Sequence, residues 1–291
     1  MLRYDYHRPA SLEEAWKLKA EIPASKWIAG GTDLMVQLRQ RRVEAPSALI
    51  SLRSVSELSA IETDDPIRIG AMVPVSDLGN NRVIRELFPA LIASIDVFAS
   101  DQIRNVATVG GNLCNASPAA DTAPPLLVCE ARVELRSAGA KRDLALADFL
   151  RGPGQTDLKP DEILTAIVVD RPAKGARQAF TKKGRTQMDV AVASLAVLLE
   201  MEGETCRRAR LAAGAVGPLP MRLPETERLL EGERLTDELV LAASERAARE
   251  IRPIDDLRST AEYRRRIVAV YVKRSVRACG GFCWSTTEAS A

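Results

Sequence analysis

Short apolar stretches separated by polar turns fill the first part of the chain, and their spacing switches repeatedly between helical and strand-like periods. Ser11-Leu12-Glu13-Glu14 reads as a capping box, predicting a helix from Ser11 to about Ala20 that Pro23 ends. Lys26-Trp27-Ile28-Ala29 is β-prone and runs into Gly30-Gly31. After Asp33, apolar positions 34, 35 and 38 fit one helical face through Arg41. Ala48–Leu52 and Ile67–Ala71 read as short strands, and Val83–Ala99 as helix broken at Pro89. Strands are predicted at Ala131–Arg136 and Ile163–Val169, with Asp148–Asp161, rich in Gly and Pro, as a surface loop.

Beyond Asp170-Arg171-Pro172 the texture changes. Gln178–Lys182, Val190–Met201 and Leu211–Val216 carry strand patterns, followed by helical stretches at Glu225–Glu231, Thr236–Glu250 and Thr260–Val276. The expectation is an α+β chain. Residues 1–175 would form two α/β lobes with a boundary near 55–60, residues 176–280 an antiparallel sheet with helices, and residues 281–291 a flexible tail.

Composition narrows the chemistry. In 291 residues, 41 basic and 39 acidic side chains nearly cancel, which gives no basic excess of the kind nucleic acid selects. No apolar run reaches the length of a membrane span, and the N-terminus lacks the apolar stretch of a signal peptide, so a cytoplasmic location is the default expectation. The five cysteines are scattered without a CxxC pair; Cys279 and Cys283 form only a CxxxC fragment. His7, in the turn-like Tyr6-His7-Arg8-Pro9, is the only histidine, which excludes a Ser-His-Asp triad built on any other position and multi-histidine metal sites. It is expected at the surface. No metal ligand set and no catalytic acid or base is nominated.

Two glycine pairs stand out: Ile28-Ala29-Gly30-Gly31-Thr32-Asp33 and Thr108-Val109-Gly110-Gly111-Asn112. Each follows a β-prone stretch and offers consecutive N–H groups with little side chain in the way, as a diphosphate requires. The first leads from strand to helix N-terminus, where a dipole adds partial positive charge. Neither is a Walker loop or GxGxxG, so a Rossmann nucleotide site is not supported. Asp121 follows Asn112 by nine residues, and the combination points to a site gripping one dinucleotide from both sides.

Ala29-Gly30-Gly31-Thr32-Asp33-Leu34 and the run from Thr108 to Asp121 closely resemble the FAD-binding medium subunit of the molybdenum hydroxylases. That family includes xanthine dehydrogenase and aerobic carbon monoxide dehydrogenase. The likeness continues through Phe180-x-Lys182-x-x-Arg185, Asp189-x-Ala191, Gly214-Ala215-Val216-Gly217-Pro218 and Tyr263-Arg264-Arg265, covering nearly the whole chain. It implies a two-lobed FAD-binding domain of the vanillyl-alcohol-oxidase type plus the C-terminal sheet domain. By the same resemblance, molybdenum cofactor and two-iron two-sulfur clusters belong to a large and a small partner subunit. NAD or a quinone would be the final acceptor.

Carried over position by position, the resemblance assigns FAD binding to Ile28, Ala29, Gly30, Gly31, Thr32, Asp33, Leu34 and Met35, and to Thr108, Val109, Gly110, Gly111 and Asn112. The backbone amides of both stretches would hold the pyrophosphate. Asp121 would accept a hydrogen bond from a ribitol or ribose hydroxyl, Phe98 would pack on the cofactor, and Leu164 and Lys182 would lie near the isoalloxazine. A cation there favours the anionic reduced flavin. Other readings stay open: Asp121 as cap of a helix starting around Thr122, Phe98 as ordinary core, Lys183 in place of Lys182, and Cys114 as inert packing. Two further functions share these residues: a stand-alone flavin reductase of the same fold, and a scaffold subunit without cofactor.

Overall fold

The computed structural model describes residues 4–186 and 188–281. Cys283 and the expected tail beyond Gly281 lie outside them. The first lobe comprises β1 (Asp5–His7), α1 (Leu12–Glu21), β2 (Lys26–Ile28), α2 (Leu34–Arg39) and β3 (Ala48–Ser51). Its three strands run parallel in the order β1-β3-β2. The Ser11 half of the capping box forms, with Ser11 Oγ accepting from the Glu14 N–H at 3.2 Å, while Glu14 Oε2 reaches one residue further back and accepts from the Ala10 N–H at 2.7 Å. His7 is not in a turn. It closes β1, paired with Ile50, and is half-buried, because the Tyr6-His7 backbone completes the edge of the sheet.

The second lobe begins with β4 (Ile61–Glu62) and β5 (Ile67–Gly70). A set of short helices follows: α3 (Val75–Asn80), α4 (Arg82–Leu87), α5 (Pro89–Asp96), α6 (Asp101–Arg104), α7 (Val109–Cys114) and α8 (Ala123–Val128). Then come β6 (Arg132–Arg136), β7 (Lys141–Ala145), α9 (Leu146–Phe149), β8 (Leu150–Gly152), β9 (Gln155–Thr156) and β10 (Ile163–Val169). The sheet order is β4-β5-β10-β6-β7, all antiparallel. All seven residues of β10 are buried, which explains its unbroken apolar run: it is the central strand, covered on both faces. Pro89 does not merely break a helix; it is the first residue of α5, where a missing N–H costs nothing.

Residues 148–161 are not a plain surface loop. Phe149 and Leu150 are buried in the second-lobe core, which draws the following residues into the β8–β9 hairpin.

From Arg177 the chain forms a four-stranded antiparallel sheet, β11 (Arg177–Lys183), β12 (Ala193–Glu202), β13 (Thr205–Gly214) and β14 (Met221–Arg222). Helices α10 (Pro224–Leu230), α11 (Asp237–Glu250) and α12 (Ala261–Gly280) follow. Strand period divides β12 between two cores. Ala193, Leu195, Val197 and Leu199 pack with α11 and α12, whereas Ala196 and Leu198 pack with the second lobe.

The glycine pairs differ from the sequence expectation. A Cβ on Gly30 would land on the Val106 carbonyl, and one on Gly110 would lie 2.6 Å from the Ala71 Cβ and 2.7 Å from its carbonyl oxygen. These glycines are required where backbone meets protein. The second pair is also no turn but the first turn of α7, with Thr108 Oγ1 capping the Gly111 N–H at 3.0 Å. Gly31 does need a glycine backbone, at φ 75°.

Substituting Gly30 or Gly110 by Ala should therefore lower stability by more than about 2 kcal/mol before any ligand is added. Gly139→Ala, where nothing lies within 4 Å of the new methyl, should leave the melting temperature unchanged. Thermal unfolding of the three variants checks this; wild-type stability in Gly30→Ala would contradict the packing account.

Candidate functional site: the cleft between the first two lobes

Between the first and second lobes lies a cleft of about 750 Å³, inside the range of small-molecule and cofactor sites. Its floor is the turn after β2. The amides of residues 30 to 33 have no hydrogen-bond partner among the described residues. Consecutive open donors, at the half-buried Gly30, Gly31 and Thr32 and the exposed Asp33, mark a place for an acceptor-rich ligand.

The opposing segment offers something different. The Val109 N–H donates to Val73 O at 3.2 Å, Gly110 to Ala71 O at 3.0 Å, Gly111 to Thr108 Oγ1, and Asn112 to Thr108 O at 2.9 Å. Those amides are committed to the fold, leaving among residues 108–112 only the Thr108 N–H without a partner within the described residues. What this wall presents instead is polar side chain. Thr122 Oγ1 donates to Asn112 Oδ1 at 2.7 Å, which orients the Asn112 amide and leaves its N–H₂ group free.

Of the residues singled out in the sequence, 28 to 34, Phe98, Thr108, Gly110, Gly111, Asn112 and Leu164 line this cleft. Met35, Val109, Asp121 and Lys182 do not. Met35 turns back onto Ile28 and Tyr4, whose hydroxyl lies 3.8 Å from its sulfur, and Val109 is fully buried core. Phe98 and Ala71 supply apolar wall from the second lobe, and Trp27 and Leu52 from the first. Gln37 on α2 donates to Asn115 Oδ1 at 3.0 Å, tying the two lobes together across the cleft lining.

Asp121 and Lys182 meet each other. Lys182 Nζ lies 2.6 Å from Asp121 Oδ2 and also donates to Val97 O at 3.0 Å, joining β11 to the second lobe. Both side chains are at least nine-tenths buried, while Lys183 is exposed. Asp121 makes no helix cap: Thr122 precedes α8 without a side-chain cap. Its second oxygen, Oδ1, is buried with no partner. Burial lifts the Asp121 carboxyl to about 6, against the opposing pull of Lys182.

Cys114 lines the cleft, but burial pushes its thiol up to about 12, so it stays protonated at neutral pH. Sequence reasoning missed Lys19, Ser25, Trp27, Gln37 and the segment 158–160, all of which line the cleft. The cleft-facing role of 158–160 was hidden by its loop-like composition, and Gln37 and Trp27 carry no local motif.

The geometry defines a two-lobed protein whose inter-lobe cleft suits an elongated ligand with anionic oxygens in its middle. Comparison with known proteins gives the family. Residues 2–172 match the FAD binding domain in molybdopterin dehydrogenase, and residues 178–279 match the CO dehydrogenase flavoprotein C-terminal domain. A xanthine dehydrogenase FAD-binding subunit of Escherichia coli is 31% identical over 284 residues, spanning 95% of this chain and 97% of that one. The carbon monoxide dehydrogenase medium chain of Hydrogenophaga pseudoflava is 30% identical over 283 residues, spanning 97% and 98%. Among solved structures, carbon monoxide dehydrogenase from the same organism superposes with a TM-score of 0.92 at 30% identity, covering 97% of this chain and 99% of that chain. Quinoline 2-oxidoreductase from Pseudomonas putida 86 gives 0.90 at 28% identity, covering 96% and 97%. The chain belongs to the family of FAD-binding subunits of molybdenum hydroxylases. Among the described residues no helix is long and apolar enough to cross a membrane.

Because its folded value lies above the ordinary carboxylate value of 3.8, Asp121 holds its proton more tightly folded than unfolded. Its contribution to stability is therefore full below about pH 4 and is lost as pH rises through about 6. Asp121→Asn cannot titrate. Lowering the pH from about 7.5 to about 5 should raise wild-type stability relative to this variant by on the order of 1 kcal/mol, measured by urea unfolding at both pH values. A difference that stays constant or shrinks would contradict the burial assigned to Asp121.

Proposed function

We propose that this chain is the FAD-binding electron-transfer subunit of a multi-subunit molybdenum-containing hydroxylase or dehydrogenase. Electrons would reach it singly from two-iron two-sulfur clusters in a small partner subunit, having left substrate at a molybdenum cofactor in a large one. They would leave to an external acceptor such as NAD or a quinone. Bound FAD supplies the ability to accept electrons one at a time and release them as a pair.

The observation that carries this reading is the row of unpartnered amides at residues 30 to 33 on the floor of an apolar-walled cleft, in a chain that belongs to this family along its length. A diphosphate accepts from such donors without any counter-cation. Of the cofactor residues read from the sequence, those proposed to meet the cofactor are 28 to 34, Phe98, Thr108, Gly110, Gly111, Asn112 and Leu164, which line the cleft, with Met35, Val109, Asp121 and Lys182 behind them, within a division of the chain at about residue 175. On the second wall the contact comes from the Asn112 side chain and the Thr108 hydroxyl, since amides 109 to 112 are already bonded. Asp121 and Lys182 act from behind the lining. Lys182 holds the carbonyl of Val97, the residue before Phe98, and so sets where that ring stands. No catalytic acid or base is proposed in this chain.

The purified full chain, reconstituted with FAD, should be yellow with one flavin per polypeptide, read from its visible absorption spectrum. A colourless, flavin-free protein after exposure to excess FAD would overturn the proposal. Turnover of a small substrate by the single chain would favour the stand-alone reductase instead.

A further inference from the structure

We infer that Arg142, which lies outside the cleft, is the positioning residue for the second-lobe wall: its guanidinium clamps Asp157 and Glu162 and so presets residues 158–164 for the cofactor. The inference rests on the FAD reading of the cleft but concerns what holds one wall in place before any ligand arrives.

Leu158, Lys159, Pro160, Ile163 and Leu164 line the cleft, whereas Arg142, Asp157 and Glu162 do not. Leu164 of β10 pairs with Leu135 of β6, which pairs in turn with Arg142 of β7, so the three share one row across the sheet. The approach to β10 is irregular. From Leu158 to Asp161 the backbone bonds only to near neighbours: the Lys159 N–H donates to Glu162 Oε2 at 2.9 Å, and the Glu162 N–H donates to Lys159 O at 3.1 Å. The hydrogen-bonded ties of this segment to the rest of the lobe therefore run through the two acidic residues that flank it.

Arg142 holds both. Its Nε and Nη2 donate to Glu162 Oε1 and Oε2, each at 2.7 Å, as a fork-to-fork pair. Its Nη1 donates to Asp157 Oδ2 and its Nη2 to Asp157 O, both at 2.6 Å. Those hydrogen bonds keep both carboxyls below the ordinary carboxylate range, so the clamp is fully charged at neutral pH. The Glu162 side chain is only 7% exposed. Without Arg142 it would be a nearly buried carboxylate with no counter-charge, and the segment would be drawn toward water. Lysine carries the same charge but has no planar fork, and cannot meet both Glu162 oxygens while reaching Asp157.

Arg142 thus acts on the cofactor through the wall and not by contact. A ligand that binds a wall in place for only part of the time loses apparent affinity in that proportion. The clamp removes this loss by ordering the segment in advance.

The test measures FAD dissociation constants of the full chain by calorimetry, and the visible circular dichroism of the bound flavin, in wild type, Arg142→Lys and Arg142→Gln. The control is Arg132→Gln. Arg132 makes a comparable two-bond pair with Asp170, at 3.0 and 2.9 Å, on the same sheet but away from the cleft lining. Both Arg142 variants should bind FAD about tenfold more weakly and change the flavin dichroism, with Arg142→Lys giving no rescue. Arg132→Gln should leave both readouts at wild-type values. If the Arg142 variants fold poorly by far-ultraviolet dichroism, Glu162→Gln decides, because it removes the charge at constant shape and should weaken FAD in the same direction. Wild-type affinity and dichroism in the folded Arg142 variants or in Glu162→Gln would overturn the assignment, as would an equal loss in Arg132→Gln. Failure of the wild type itself to bind FAD would instead overturn the FAD reading.

Discussion

The structure depends on one close approach: the turn after β2 is pressed against the backbone at residues 106 and 107, with Gly30 at the contact. Because no side chain fits between the two backbone segments, the turn is held by packing and by its carbonyls, Gly31 O and Asp33 O accepting from the Met35 and Gln37 N–H groups, rather than through its amides. Its amides are thereby left open toward the cleft. On the other wall the same requirement at Gly110, against Ala71, is met with the opposite outcome, since there the amides are consumed in anchoring α7. One wall of the cleft donates backbone and the other side chain.

The third unit is welded to the second lobe rather than hung from it. Alternate residues of β12 belong to two different cores, so the sheet cannot shift without disturbing both. Charged contacts reinforce this join: Glu130, at the end of α8, meets Arg208, Arg210 and Arg222. The buried Asp121–Lys182 pair is a different kind of contact. Ion pairs taken out of water contribute little net stability, so its retention is better explained by the position it imposes on the backbone at Val97 and Phe98.

Much of this fold was legible in the sequence because it is specified locally. The Ser11 helix start, the strand pattern over Val190–Met201 and the helical stretches beginning at Thr236 and Thr260 are short-range signals, and α1, β12, α11 and α12 appear close to where the pattern puts them. What escaped was set by distant neighbours. The helical state of Gly110-Gly111 follows from contact with Ala71, and the β8–β9 hairpin from burial of Phe149 and Leu150. The meeting of Asp121 with Lys182, 61 residues apart, leaves no mark on local pattern. Within the candidate site, the glycine motif was visible, but whether its amides are free is a property of the packed molecule.

The most direct test follows individual amides by nitrogen-15 NMR while the full chain is titrated with inorganic pyrophosphate and then with FAD. The amide resonances of residues 30 to 33 should shift with either ligand, and those of Gly110 and Gly111, already bonded within the protein, should move much less. Large shifts at residues 110 and 111 with none at 30 to 33 would contradict the account.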